Sequence, residues 1–119
     1  MYEDFTAKDP LTGESFHCQY QALILGIATR HSDTVDVKFV INENEGIWLG
    51  LPHPFWMEFK KRTGQPVTDR MAVDLAGLFL KHQIESGAGA ERNHWNDITV
   101  DDLAALATEL NWLPAAAVR

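Results

Sequence analysis

The stretch Val35-Asp36-Val37-Lys38-Phe39-Val40-Ile41-Asn42-Glu43-Asn44-Glu45-Gly46-Ile47-Trp48-Leu49-Gly50-Leu51 decides the fold. Val35, Val37, Phe39 and Ile41 recur at every second position, the period of a strand with one face in a core. Asn42–Gly46 has the length of a hairpin connection, and Gly46 is expected in the left-handed position that closes such a loop. Ile47–Leu51 is the returning strand. This register predicts Val37, Phe39, Ile47 and Leu49 buried, with Glu43 and Glu45 exposed at the hairpin tip.

Upstream, Tyr2–Ala7 reads as a further strand, ended by the turn Asp9-Pro10-Leu11-Thr12-Gly13, where Pro presets φ and Gly tolerates its positive values. From Phe16 to Ala22 the pattern alternates again, with Phe16, Cys18, Tyr20 and Ala22 on one side and His17, Gln19 and Gln21 on the other. Leu23-Ile24-Leu25-Gly26-Ile27 is apolar throughout, and Gly26 suits a bulge or a bend. Phe16, Tyr20, Leu23, Ile24 and Ile27 also fall at helical spacing, so residues 15–29 stay open between strand and helix. The β-branched residues and the turn at His31-Ser32-Asp33 favour strand.

Downstream the period lengthens to that of helices. Pro54 suits a first helical position and Gly64 a terminator, with Phe55, Trp56 and Phe59 as the buried stripe. Thr68 can cap a second helix that runs to Ser86 before Gly87, with Val67 and Ala72 at staple spacing. Thr99 opens a third, with Asp101 and Asp102 in its first turn, Leu103, Leu106, Ala107 and Leu110 on its apolar face, and Pro114 at its end. The expected fold is therefore α+β, a four-stranded antiparallel β-meander followed by three α-helices packed on one face. Residues 1–113 form one domain and 114–119 a loose tail, consistent with 119 residues and 45% hydrophobic composition.

The formal charge is −7, concentrated in residues 1–59, where nine acids face only Lys8, Arg30 and Lys38. Such a surface repels phosphate backbones and anionic membranes, so neither nucleic acid nor membrane is an expected partner. Lys60-Lys61-Arg62 falls at a helix C-terminus, where cations complement the dipole. No apolar run approaches a membrane span, the first residues do not resemble a secretory leader, and the single Cys18 has no disulfide partner. A cytoplasmic location is expected.

No catalytic signature is present. The five histidines are scattered, so neither a metal site nor a cofactor is expected. Arg30-His31-Ser32-Asp33 holds triad residue types, but adjacent side chains in a turn diverge. Two segments suit contact with a ligand or partner. Leu51-Pro52-His53-Pro54-Phe55-Trp56 leads from a strand end into a helix N-terminus, offering His53 and Trp56 beside free amides. The segment from Gly87 to Asp97 gathers Arg92, His94 and Trp95, types favoured at interaction hot spots.

The Thr68–Ser86 helix has a narrow polar stripe of Arg70, Asp74, Lys81 and Glu85, and is apolar around the rest. That pattern demands cover on more than one side, from a second subunit or from the other helices. The expected function is a small acidic, non-enzymatic protein-interaction domain that is homodimeric and binds a further protein, for instance as an antagonist of a basic protein. The alternative is a small enzyme or small-molecule-binding domain with a His-containing pocket near His53 and His94.

Overall fold

A computed structural model describes residues 1–26 and 33–113. Five strands, β1 (Asp4–Lys8), β2 (Ser15–Leu25), β3 (Thr34–Ile41), β4 (Glu45–Pro52) and β5 (Trp95–Asp97), form one sheet in sequence order. Helices α1 (Pro54–Thr63), α2 (Asp69–Glu85) and α3 (Val100–Glu109) complete an α+β fold. Their apolar residues share one core with the sheet face that carries Val37, Phe39, Ile47 and Leu49. Those four are buried, and Glu43 and Glu45 are exposed, as the register requires.

The sheet departs from an antiparallel meander in one respect. Trp95–Asp97 adds a fifth strand parallel to β4, pairing Trp48 with Trp95 and Gly50 with Asp97. Three residues are too few to show a period-2 pattern, so this strand is invisible to alternation. It is fixed by backbone demand: the N–H of Trp48 donates to His94 O at 2.8 Å and that of Ile98 to Gly50 O at 2.9 Å. Without it, β4 would present an unpaired edge. The preceding segment is not structureless either, since Ala90–Arg92 forms a 3-10 turn.

Within Ser15–Leu25 the strand reading holds. The bulge falls between Tyr20 and Ala22, not at Gly26. It reverses the alternation, so Tyr20 pairs with Phe39 on the core side while Ala22 pairs with Lys38 on the opposite side. Leu23 then follows Tyr20 to the core side, opposite Val37, while Leu25, opposite Val35 at the strand end, is exposed. The turn around His31 and Ser32 lies outside the described residues.

Gly46 does not close the β3–β4 hairpin. Asn42 (φ 51°) and Glu43 (φ 60°) take the positive values, and Asn44 N–H returns to Ile41 O at 3.1 Å, a tight turn whose twist matches the strands. Gly46 instead pairs with Val40 inside β4. A Cβ there would lie 2.6 Å from Lys38 Cε, so the missing side chain is the groove in which Lys38 lies.

The helix ends follow the caps. Thr68 Oγ1 accepts from Met71 N–H at 3.2 Å and Thr99 Oγ1 from Asp102 N–H at 3.1 Å, while Gly64 (φ 73°) ends α1. The third helix stops at Glu109, before Pro114, and Asn111 turns left-handed at φ 63°. Helix α2 is covered by its own chain: Ala72, Leu75, Ala76, Leu78, Leu80 and Ile84 lie in the shared core with sheet and α3 residues. The core thus covers much of its apolar circumference from within the chain, with Met71 and Phe79 partly buried. Among the described residues no helix is long and apolar enough to cross a membrane.

Candidate functional site

Strand pairing sorts the candidate residues onto different parts of the molecule. Residues opposite one another across a ladder share a face, so Ala22, Lys38, Trp48 and Trp95 form one row across β2 to β5. This row is on the side away from the core, because Val37, Phe39, Ile47 and Leu49 alternate with it. Trp48 and Trp95 stack with ring centroids 5.2 Å apart and planes 10° from parallel. Lys38 Nζ stands 5.8 Å from the centre of the Trp48 ring, within cation–π range. Trp95 is 42% exposed.

His94 supports this row through its backbone, and its side chain is exposed. The preceding chain is held by Asn96, whose Nδ2 donates to Ala90 O at 3.2 Å and Asn93 O at 3.3 Å. Arg92 is exposed too, its guanidinium reaching towards Asp9 and Glu91 at 3.4 and 3.7 Å. Trp48, the partner that completes the row, carries no site signal in sequence, because a strand aromatic reads equally well as core. The mark it does carry is its position out of phase with Ile47, Leu49 and Leu51.

His53 and Trp56 belong elsewhere. Five residue steps along β4 and its exit separate Trp48 from His53, about 16 Å at strand rise. His53 Nδ1 lies 2.6 Å from Asp33 Oδ1, and its ring meets Trp56 edge-on at 5.8 Å. Trp56 in turn contacts Phe55, a core residue. Asp33 is the one described member of the Arg30–Asp33 constellation, and here it orients a histidine twenty positions away. This His–Asp pair is open to solvent on both partners.

A separate concavity of about 360 Å³ opens at the hairpin end of the sheet, lined by Asp9, Glu14, Phe16, Glu45, Glu91 and Arg92 among others. Among the described residues no three His, Cys, Asp or Glu side chains are grouped to hold a metal ion. Comparison with family models, curated proteins and solved structures returned no match, so function must be read from the geometry itself.

Proposed function

We propose that this chain is a non-enzymatic protein-interaction domain whose contact surface is the row Lys38–Trp48–Trp95, with His94 at its margin. The stacked tryptophan pair carries the reading. Large flat rings bury much area at low entropic cost, and the tryptophans are pre-ordered against each other before a partner arrives. A net charge of −7 speeds the approach of a basic protein to the molecule as a whole, and Lys38 at the contact itself suits an acidic side chain on that partner. The alternative, a small enzyme or small-molecule-binding domain with a pocket near His53 and His94, is less favoured, because His94 lies beside Trp48 in the middle of β4 and His53 follows the strand's end.

The test compares proteins captured from source-cell lysate by the original chain and by Trp95→Ala, after circular dichroism has shown both folded. The expected result is a set of basic proteins retained by the original and lost with Trp95→Ala. An identical set on both, or none on either, overturns the proposal.

A further inference from the structure

On the other face of the sheet from the tryptophan row, at the end where β1 meets β2 and β3 meets β4, the core is not closed over. Ala7 pairs with Phe16 and Ile41 with Glu45 on the helix side there, and the 3-10 turn brings Glu91 beneath them. The resulting pocket of about 360 Å³ has Asp9, Glu14, Glu45 and Glu91 in its wall, with Phe16 as an apolar side. Asp9 and Glu91 are only 1% and 4% exposed.

Buried carboxylates are costly unless paired. Asp9 Oδ1 is satisfied by the Leu11 N–H at 2.8 Å. Glu91 Oε2 is buried without a hydrogen-bond partner. Arg92 is the only cation in the pocket wall among the described residues; its Nη2 donates a long hydrogen bond to Asp9 Oδ2 and its Nε approaches Glu91 Oε1, which leaves Glu91 Oε2 unanswered. The Arg92 nitrogens lie 3.4 Å from Asp9 and 3.7 Å from Glu91, beyond the 2.7–2.9 Å of a strong charge-assisted bond. Its side chain is 62% exposed. Four carboxylates thus face one loosely held guanidinium.

We infer that this pocket is a binding site for an organic cation, specifically a guanidinium on a flexible stem. A planar fork can donate to carboxylates on several sides at once and is weakly hydrated, so it enters a partly buried site more readily than an ammonium. The Phe16 ring offers a surface for the stem or the flat face of the group. Among the described residues the carboxylates are not grouped as a metal ion would require, whereas a forked cation spans acceptors that stand apart. The same chemistry can arrive as a free small guanidine or as an arginine side chain of a peptide.

Titration calorimetry with agmatine and with the tripeptide Gly-Arg-Gly tests the site. Saturable binding of at least one probe is expected, and which one binds identifies the source. Glu91→Gln should weaken it about tenfold. Glu45→Gln, on the exposed rim, should weaken it less and keeps the test valid if the buried substitution unfolds the chain. Trp95→Ala should leave agmatine binding unchanged, which separates this site from the interaction surface. No saturation by either probe, equal affinity in both carboxamide variants, or displacement of agmatine by Mg²⁺ at equal concentration overturns the inference.

Discussion

Trp48 and Trp95 stack almost in parallel, 5.2 Å apart, where β4 and β5 run side by side. The contact closes an edge and builds a surface at once, since each ring shields the backbone of a strand while leaving its outer side towards solvent. The two rings are not equivalent: Trp48 is half-buried beneath Lys38, and Trp95 is the outer partner.

Trp95→Ala should cost about 1 kcal/mol in folding stability, the value of an aromatic pair beyond its area, and remove any exciton couplet from the circular dichroism spectrum. Trp48→Ala should remove the same couplet and cost more, because it also uncovers the Lys38 stem. Urea melts check the order; equal losses would mean that Trp48 is no more tightly packed than Trp95.

Gly77 in α2 sets two effects against each other. Helix propensity alone makes Gly77→Ala stabilising by about 1 kcal/mol. A Cβ there, however, would lie 2.2 Å from the backbone oxygen of Tyr2 and 3.1 Å from Phe39 Cζ. Displacing backbone from a packed core costs about 1–3 kcal/mol, so the clash should prevail and the variant melt lower. A variant as stable as the original would place the chain near Tyr2 further from α2.

Cys18 is wholly buried, and burial pushes its thiol from 9.0 up to about 12, with the carboxylates of Glu91 and Asp4 adding to the shift. In the unfolded chain the thiol ionises first, so between about pH 9 and pH 12 the unfolded state holds fewer protons and stability falls as pH rises. Below pH 9 the contribution is complete. Urea midpoints across that window should decline in the original chain and decline less in Cys18→Ala. A disulfide reagent should label Cys18 rapidly only after denaturation.

The hairpin register, the three helices and both threonine caps are legible in the sequence because each rests on repetition or on a local chemical rule. Phe39 and Leu49 announce themselves by alternation, Thr68 and Thr99 by the acidic residues of the first helical turn beyond them. The fifth strand is not legible, since Trp95–Asp97 is specified by the unpaired edge of β4 and not by its own pattern. The bulge lies in the Gln21 region and not at Gly26 for a similar reason: cross-strand packing of Tyr20 on Phe39 sets the phase. At the candidate site, residue type alone singles out Arg92, His94 and Trp95. It does not single out Trp48 and Glu91, because strand aromatics and loop acids have ordinary structural readings.

Light scattering at high micromolar concentration should find a monomer of 13.4 kDa. The case for a homodimer rests on the apolar circumference of α2, and the core accounts for much of that surface within one chain. A concentration-dependent dimer would direct attention to the tryptophan row as its seat, and Trp95→Ala should then dissociate it.

Asp74 tests how the N-terminal chain is fastened. Helical spacing puts it in a polar stripe with Arg70, Lys81 and Glu85, yet it is buried and its Oδ1 accepts the Tyr2 N–H at 2.8 Å. Arg70 is 3.9 Å from Oδ2 and largely solvent-exposed, so the ion pair should contribute little, and Arg70→Ala should cost below about 1 kcal/mol. The hydrogen bond is a different matter. Asp74→Ala leaves the Tyr2 N–H without its acceptor and should cost about 1–3 kcal/mol. Asp74→Asn keeps an oxygen at the same place and should lose much less. Hydrogen exchange reports the location: β1 amides should lose protection in Asp74→Ala and retain most of it in Asp74→Asn. If the two variants exchange alike, charge and not the hydrogen bond holds β1 to α2, supplied by the Met1 ammonium at 3.4 Å from Oδ1 together with Arg70.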